Sequence, residues 1–373
     1  MNSRMPDLER LVPAHVKCFE AYIPSKPDDV LMEYYGVKRL LRLNNNENPL
    51  GPPAESREAI TKFPTVKASV YPSGDAFHLR QLLAARFKMD PDQFLVGNGA
   101  NEVIAFVIKA FCQEGDNIVT ADKTFAVYEW VARFSGYEAR CVPLRDYGFD
   151  DEAMLAASDE RTKIFFVCNP NNPTGTYWSK KRLTDFLDRV DRRAIVVVDE
   201  AYLEFVEEDD FPDAMDLIGL YPNVVSFRTF SKMYGLAGLR IGYLCGAPEI
   251  VDIIRKTCVV YSVNTLAQVA AIEAVNADHH VAATRKAVRE ARDYLTREFG
   301  KMGLFLVSGQ GCYMMARLPM SDSLAYRKLM AKGLMIRTMT GFRFPNFIRV
   351  SFGAMEDMEE LVRGMREILP SKR

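Results

Sequence analysis

Lys232 stands in the stretch VSFRTFSKMYGLAGLRIGYL, residues 225–244, among small, apolar and hydroxyl residues, with Arg240 eight places further on. An apolar strand ending at Phe227 would deliver Thr229, Ser231 and Lys232 to one edge of a sheet. A lysine desolvated there and close to an arginine favours its neutral amine over its ammonium, and the amine is the form that condenses with an aldehyde. The adjacent hydroxyls and guanidinium suit a phosphate through charge-assisted hydrogen bonds. Taken alone, the same letters also describe an ordinary solvated lysine flanked by Ser and Thr.

Three further stretches bring matching chemistry. In AIVVVDEAYLEF, residues 194–205, Asp199 ends a wholly apolar strand and Tyr202 follows three residues later. A carboxylate at that depth is costly unless a cation or donor meets it, so Asp199 either caps the next helix or faces a positive group of a cofactor. In IFFVCNPNNPTGTYW, residues 164–178, two X-Pro steps stiffen a loop at the carboxyl end of a strand and hold Asn172 there, although Asn and Pro also simply make turns. In FLVGNGANEVIAFVIKAF, residues 94–111, a strand, a glycine turn and a helix starting at Ala100 or Asn101 follow one another. That start aims unpaired N–H groups and a positive dipole end over the sheet, which is a seat for a phosphate. A tight turn before a helix, or a dinucleotide site using Asp122, would share parts of this pattern. Glu102, however, stands where the third glycine of a dinucleotide fingerprint belongs.

Together the four stretches supply an imine-forming lysine, a buried acid, a fixed amide and an anion cradle. Pyridoxal 5′-phosphate requires that set: a lysine for its aldehyde, an acid for its pyridinium nitrogen, a donor for its phenolate and a cradle for its phosphate.

Such groups need a sheet to carry them. Apolar runs bounded by Gly, Asn and Pro alternate with helical periodicity from about residue 75 to 260, the signature of an α/β domain with a mostly parallel sheet. Seven strands are expected, at 93–96, 117–121, 139–143, 163–168, 194–198, 224–227 and 241–245. The fully apolar run 194–198 belongs in the middle, covered on both faces. Beyond about Asn264, a long amphipathic helix carries Val281, Val288, Leu295 and Phe299 on one stripe. Two or three strands and two more helices follow, the last over 356–369, as a smaller α+β domain. The expected division is an amino-terminal arm and part of the small domain over 1–50, a large α/β domain over 51–264, and the small domain over 265–373. NNNENPLGPP, residues 44–53, reads as a turn-rich hinge.

Composition narrows the function classes. Forty-eight basic and 49 acidic residues leave a net charge of −1, so no field recruits nucleic acid or an anionic membrane. Seven cysteines, an odd number without a CxxC pair, and four histidines without a ligand spacing argue against a disulfide framework and a metal site, and point to a reducing cytoplasm. Met1–Pro13 lacks the apolar core of a signal peptide, and no apolar run reaches membrane-spanning length.

The segments LNNNENPLGP, GNGANE, CNPNNPTG, DEAY and TFSKMYGLAGLRIGY occur in an order and spacing that resemble the pyridoxal-phosphate aminotransferases of fold type I, in the branch of histidinol-phosphate aminotransferase. The resemblance spans YIPSKP near residue 22 to IRVSFG near 351. It implies that Lys232 carries the cofactor as an imine and then moves the proton, that Asp199 pairs with the ring nitrogen, and that Asn172 and Tyr202 bond the phenolic oxygen. Phe125 would stack on the ring, with Gly99, Ala100, Asn101, Thr229, Ser231 and Arg240 around the phosphate. Tyr71 resembles a tyrosine lent to a neighbouring subunit's phosphate, which implies a homodimer with shared sites. For substrate, the resemblance implies Arg349 and Arg337 as anion receptors and Tyr22 as a residue closing over the site. An amino donor such as histidinol phosphate and 2-oxoglutarate as acceptor follow. Departures from the pattern gather at the substrate side: Ser25, Lys123, VYSVN at 260–264, Cys312 and Arg343. An aromatic amino acid aminotransferase and a threonine-phosphate-type decarboxylase are rivals on the same fold. A nicotinamide oxidoreductase and an inactive binding protein are rivals from other classes.

Overall fold

The computed structural model describes residues 5–20, 25–190 and 192–370. Seven strands form one sheet: β2 (Phe94–Gly97), β3 (Asn117–Ala121), β4 (Glu138–Val142), β5 (Thr162–Cys168), β6 (Ile195–Asp199), β7 (Val224–Thr229) and β8 (Gly242–Cys245). Their spatial order is β2-β8-β7-β6-β5-β3-β4, with β8 antiparallel to both neighbours and the remaining pairs parallel. All seven expected strands are present. Every residue of β6 is buried, as its unbroken apolar run requires of a strand covered on both faces.

Helices α1 (Ala100–Phe111) and α2 (Val127–Phe134) follow β2 and β3 and cover the sheet. Val103, Phe106 and Val107 are buried along one face of α1, so its three- and four-residue apolar spacing became a packed stripe. Each such side chain withdrawn from water contributes about 1.5–3 kcal/mol. Helix α3 (Thr265–Val275) also joins this first core, burying Ala267, Ala270, Ala271 and Ala274 there.

A second core lies beside it. Helix α4 (Asp278–Lys301) buries Val288, Leu295 and Phe299, with Val281 packed alongside. It meets helix α6 (Met355–Ile368), while α5 (Asp322–Met330) packs on α6. A four-stranded sheet completes the layer, from β9 (Phe305–Ser308), β10 (Tyr313–Arg317), β12 (Arg337–Thr338) and β13 (Phe347–Ser351) in the order β12-β13-β10-β9. The amino-terminal β1 (Leu41–Arg42) pairs in parallel with β11 (Leu334–Met335), tying residues before the hinge to this second body. Five strands thus follow α4 where two or three were expected. β11 and β12 are only two residues each, too short to leave an alternating pattern in the sequence.

The two bodies meet closely. A Cβ on Gly309 would lie 2.1 Å from the carbonyl oxygen of Gly175, so only glycine permits the loop after β5 to pass the loop after β9. Tyr202 and Met233, from loops of the first sheet, are buried in the second core. The seam therefore runs past Asp199 and Lys232. No helix among the described residues is long and apolar enough to cross a membrane.

Candidate active site

At the carboxyl ends of β5, β6 and β7, where open α/β sheets bind ligands, lies a cavity of about 350 Å³. Ladder pairing sets Cys168 beside Asp199, and Asp199 beside Phe227. The chain leaving β7 then brings Thr229, Ser231 and Lys232 to the same rim. All three line the cavity, as do Ala100, Asn101, Phe125, Asn172, Asp199, Tyr202, Arg240, Arg337 and Arg349.

Lys232 donates from Nζ to the carbonyl oxygen of Asn45 at 2.8 Å. Loss of hydration is the largest influence on its ammonium and lowers its pKa from 10.5 to about 8, with the cations Arg349 and Arg240 acting in the same sense. Asp199 is buried, and burial pushes its carboxyl upward. The Tyr128 hydroxyl, 2.5 Å away, the Ala201 N–H and the charge of Lys232 oppose that rise. A carboxyl so placed ionises readily only when a further cation or N–H donor meets it.

The opposite wall is cationic. Arg337 and Arg349 are register partners on the antiparallel pair β12–β13, so two like charges stand directly across from each other. Such a pair is unfavourable until an anion joins it. Burial lowers the pKa of Arg349, whose guanidinium donates to Asn172 Oδ1 at 2.5 Å and to the Asn44 carbonyl oxygen at 2.9 Å. Its Nε is buried without a partner among the described residues, as is Asn44 Oδ1. The Phe342 ring lies beneath both guanidiniums, at 5.6 Å from Arg337 and 5.7 Å from Arg349.

At the other end α1 begins at Ala100 with Gly99 as its cap, at φ +78°. A Cβ at Gly99 would sit 2.3 Å from a guanidinium nitrogen of Arg240, so glycine lets the helix start and that arginine share one corner. Arg240 also approaches the Ser231 hydroxyl at 3.5 Å, and Ser231 N–H donates to Thr229 Oγ1 at 3.0 Å. Helix-terminal N–H groups, two hydroxyls and a guanidinium converge there, the donor set a phosphate takes.

Tyr71 lies elsewhere on this chain: it is 79% exposed and stacks on Tyr261 with centroids 4.9 Å apart. Tyr22 falls outside the described residues. Asp122, the candidate ribose ligand, is not in the cavity wall, and its carboxylate pairs with Lys123 at 2.9 Å.

Several residues in or directly behind the wall were not anticipated. Asn46, from the stretch read as a hinge, donates to the Tyr202 hydroxyl at 2.8 Å, and its neighbours Asn45 and Glu47 also line the cavity. Tyr128 reaches Asp199 from α2, three residues after Phe125. That spacing puts both on one face of the segment, the one signal that could have found it. Phe342 carried no signal, since its position depends on pairing between strands far apart in the chain.

The chain matches the family model described as aminotransferase class I and II over residues 38–365 and belongs to that family. Among its relatives, the histidinol-phosphate aminotransferase of Moorella thermoacetica is 37% identical over 99% of this chain and 97% of that protein. That of Anaeromyxobacter sp. is 35% identical over 96% and 99%. The solved structure of histidinol-phosphate aminotransferase from Sinorhizobium meliloti, in complex with pyridoxal 5′-phosphate, superposes with a TM-score of 0.85 at 25% identity, covering 98% of this chain and 97% of that one. The fold is that of the fold type I aminotransferases, and the activity class is transamination, between an amino donor and a 2-oxo acid.

Proposed function

We propose that the protein is a pyridoxal 5′-phosphate-dependent aminotransferase that transfers the amino group of histidinol phosphate to 2-oxoglutarate. The observation that carries this reading is the shared cavity: Lys232 and Asp199 on one side, the Gly99–Arg240 corner at one end and the paired arginines Arg337 and Arg349 at the other. When bound, the cofactor supplies an aldehyde and an electron-withdrawing ring that stabilises negative charge at the substrate's α-carbon. Lys232 would hold it through its amine and would be the group that moves a proton at that carbon. Asp199 would meet the ring nitrogen and favour its protonated form, with Tyr128 keeping the carboxylate aimed. Asn172 and Tyr202, both in the cavity wall, would donate to the phenolic oxygen. Phe125 would cover one ring face, and Ala100, Asn101, Thr229, Ser231 and Arg240 would take the phosphate.

Arg349, already oriented by Asn172 and the Asn44 carbonyl, has an unused buried Nε to offer an anionic substrate group, and Arg337 adds the second charge. Both a phosphate and a carboxylate fit that pair, so one site serves donor and acceptor in turn. Tyr22 would close over it. We further propose a homodimer in which Tyr71 completes the partner's phosphate site. Its exposed ring, with neighbouring Val70 and the stacked Tyr261, gives an apolar patch for the contact. We divide the chain into a larger cofactor-binding body and a smaller one, with the junction after about residue 277 rather than 264, because α3 packs in the first core. We place the enzyme in the cytoplasm, in keeping with its seven free cysteines.

Two results test this. In single half-reactions followed by the loss of cofactor absorbance, histidinol phosphate is expected to react faster than phenylalanine, tyrosine or glutamate. A faster aromatic donor, or release of carbon dioxide from threonine phosphate, would replace the assignment. Recombination of cofactor-free protein with pyridoxal, which has no titrating phosphate, is expected to accelerate with pH around a midpoint of about 8, because only the neutral amine attacks. A midpoint near the ordinary lysine value of 10.5 would show that Lys232 is not desolvated.

A further inference from the structure

Two departures from the family pattern, Lys123 and Arg343, are 220 residues apart in sequence, yet each touches the other's chain neighbour. Arg343 belongs to the turn after β12 and is not in the cavity wall. Its Nη1 donates to the Asp122 carbonyl oxygen at 2.7 Å, and its Nη2 reaches both oxygens of Glu129, at 3.1 and 3.0 Å. Glu129, on α2, is 13% exposed at its side chain and Arg343 47%, so the pair is shielded from the Glu129 side and open to solvent on the other. Lys123 answers from the other direction, its Nζ 5.7 Å from the centre of the Phe344 ring.

The turn thus gripped is held to its own body as well. Asp322 accepts from the N–H groups of Met339 and Thr340, both at 2.8 Å, and from the Thr340 hydroxyl. Arg343 sits at φ +63°, a conformation a non-glycine residue adopts only against a cost that surrounding contacts must offset. Between the Asp322 anchor and Arg343 lies Phe342, whose ring underlies Arg337 and Arg349. On the other side of the contact, α2 and the residues before it carry Phe125, which lines the cavity, and Tyr128, which bonds the lining carboxylate Asp199 from behind.

We infer that Arg343 is a positioning residue: its grip on Glu129 and the Asp122 carbonyl latches the 340–344 turn to the cofactor-bearing body and so sets Phe342 and the two substrate arginines over the cavity. It binds no substrate itself. This rests on the aminotransferase reading for the role of those arginines, but the latch is a property of the fold. A latch that favours the competent arrangement raises the apparent affinity for every substrate by one common factor, the inverse of the competent fraction.

The test compares Arg343→Ala, Arg343→Lys, Glu129→Gln, the Arg343→Ala/Glu129→Gln double variant, and Arg133→Ala as a control for the other cation on Glu129. Melting temperatures establish that each is folded. Arg343→Ala and Glu129→Gln are each expected to raise KM for histidinol phosphate and for 2-oxoglutarate by the same factor, about five- to thirtyfold. The change in kcat stays within about twofold, the double variant is no worse than the single ones, and Arg343→Lys recovers part of the loss. A rise confined to one substrate, with Glu129→Gln silent, would make Arg343 a direct anion ligand and overturn the inference. Unchanged KM values throughout would overturn it too. Amide exchange of residues 339–347 in the purified protein gives a readout that needs no substrate: Arg343→Ala and Glu129→Gln both accelerate it if the latch exists. Should the protein turn over none of these donors while exchange still responds, the substrate reading fails and the latch stands; unaltered exchange removes the latch.

Discussion

Lys232→Ala is expected to lower transamination by at least about 10⁴-fold, because one change removes both the amine that binds the cofactor covalently and the base that moves the α-proton. The fold should survive it. Lys232 makes one hydrogen bond, to the Asn45 carbonyl oxygen, and its burial disfavours the charged form, so truncation takes little from stability. The linkage has a definite sign: the lowered pKa costs stability fully below pH 8, and the cost fades as pH rises from about 8 to 10.5, where the unfolded chain binds the proton the folded chain lacks. The variant should therefore gain relative stability at neutral pH while losing activity. Equal unfolding temperatures with retained turnover would remove Lys232 from the chemistry.

Asp199→Asn is expected to reduce the rate by about 10²–10³-fold, the scale of deleting one preorganised charge at a developing charge. This variant separates charge from packing. The carboxylate uses one oxygen for the Ala201 N–H and the other for the Tyr128 hydroxyl; the amide can keep its oxygen on the Ala201 N–H while the Tyr128 hydroxyl turns to accept from the new NH2, so neither group is orphaned. Because burial already opposes ionisation of Asp199, the cofactor-free variant should melt no lower than the parent. Asp199→Ala, by contrast, strands the Tyr128 hydroxyl and should cost about 1–3 kcal/mol in addition to the rate. A variant at Asp199 with full activity would show that no acid is needed at the ring nitrogen.

Much of this was legible in the sequence because the large sheet is built from local signals. Each of its strands is an apolar run closed by turn residues, and the groups at their carboxyl ends follow within a few positions: Asn172 after β5, Asp199 at the end of β6, Lys232 just past β7. Parallel pairing then gathers what the linear order already grouped. Tyr128 escaped notice because an aromatic residue on an amphipathic helix has an ordinary explanation as core, and only its 2.5 Å contact with Asp199 distinguishes it. Asn46 looked like part of a turn, yet the return of residues 41–46 to pack with the second body places its amide on Tyr202. Arg337 and Arg349 could be marked as candidates, but their face-to-face register depends on β12, a two-residue strand with no period to read. Lys123 and Arg343 were visible as oddities one at a time. Their proximity appears only once the two bodies are brought together.

The most direct test of the central claim is reduction of the purified yellow protein with borohydride, followed by digestion and mass spectrometry. A pyridoxyl group is predicted on Lys232 and on no other lysine, with the yellow absorbance lost as the label appears. A label on a different lysine, or a colourless protein that takes none in the presence of pyridoxal 5′-phosphate, would contradict the account.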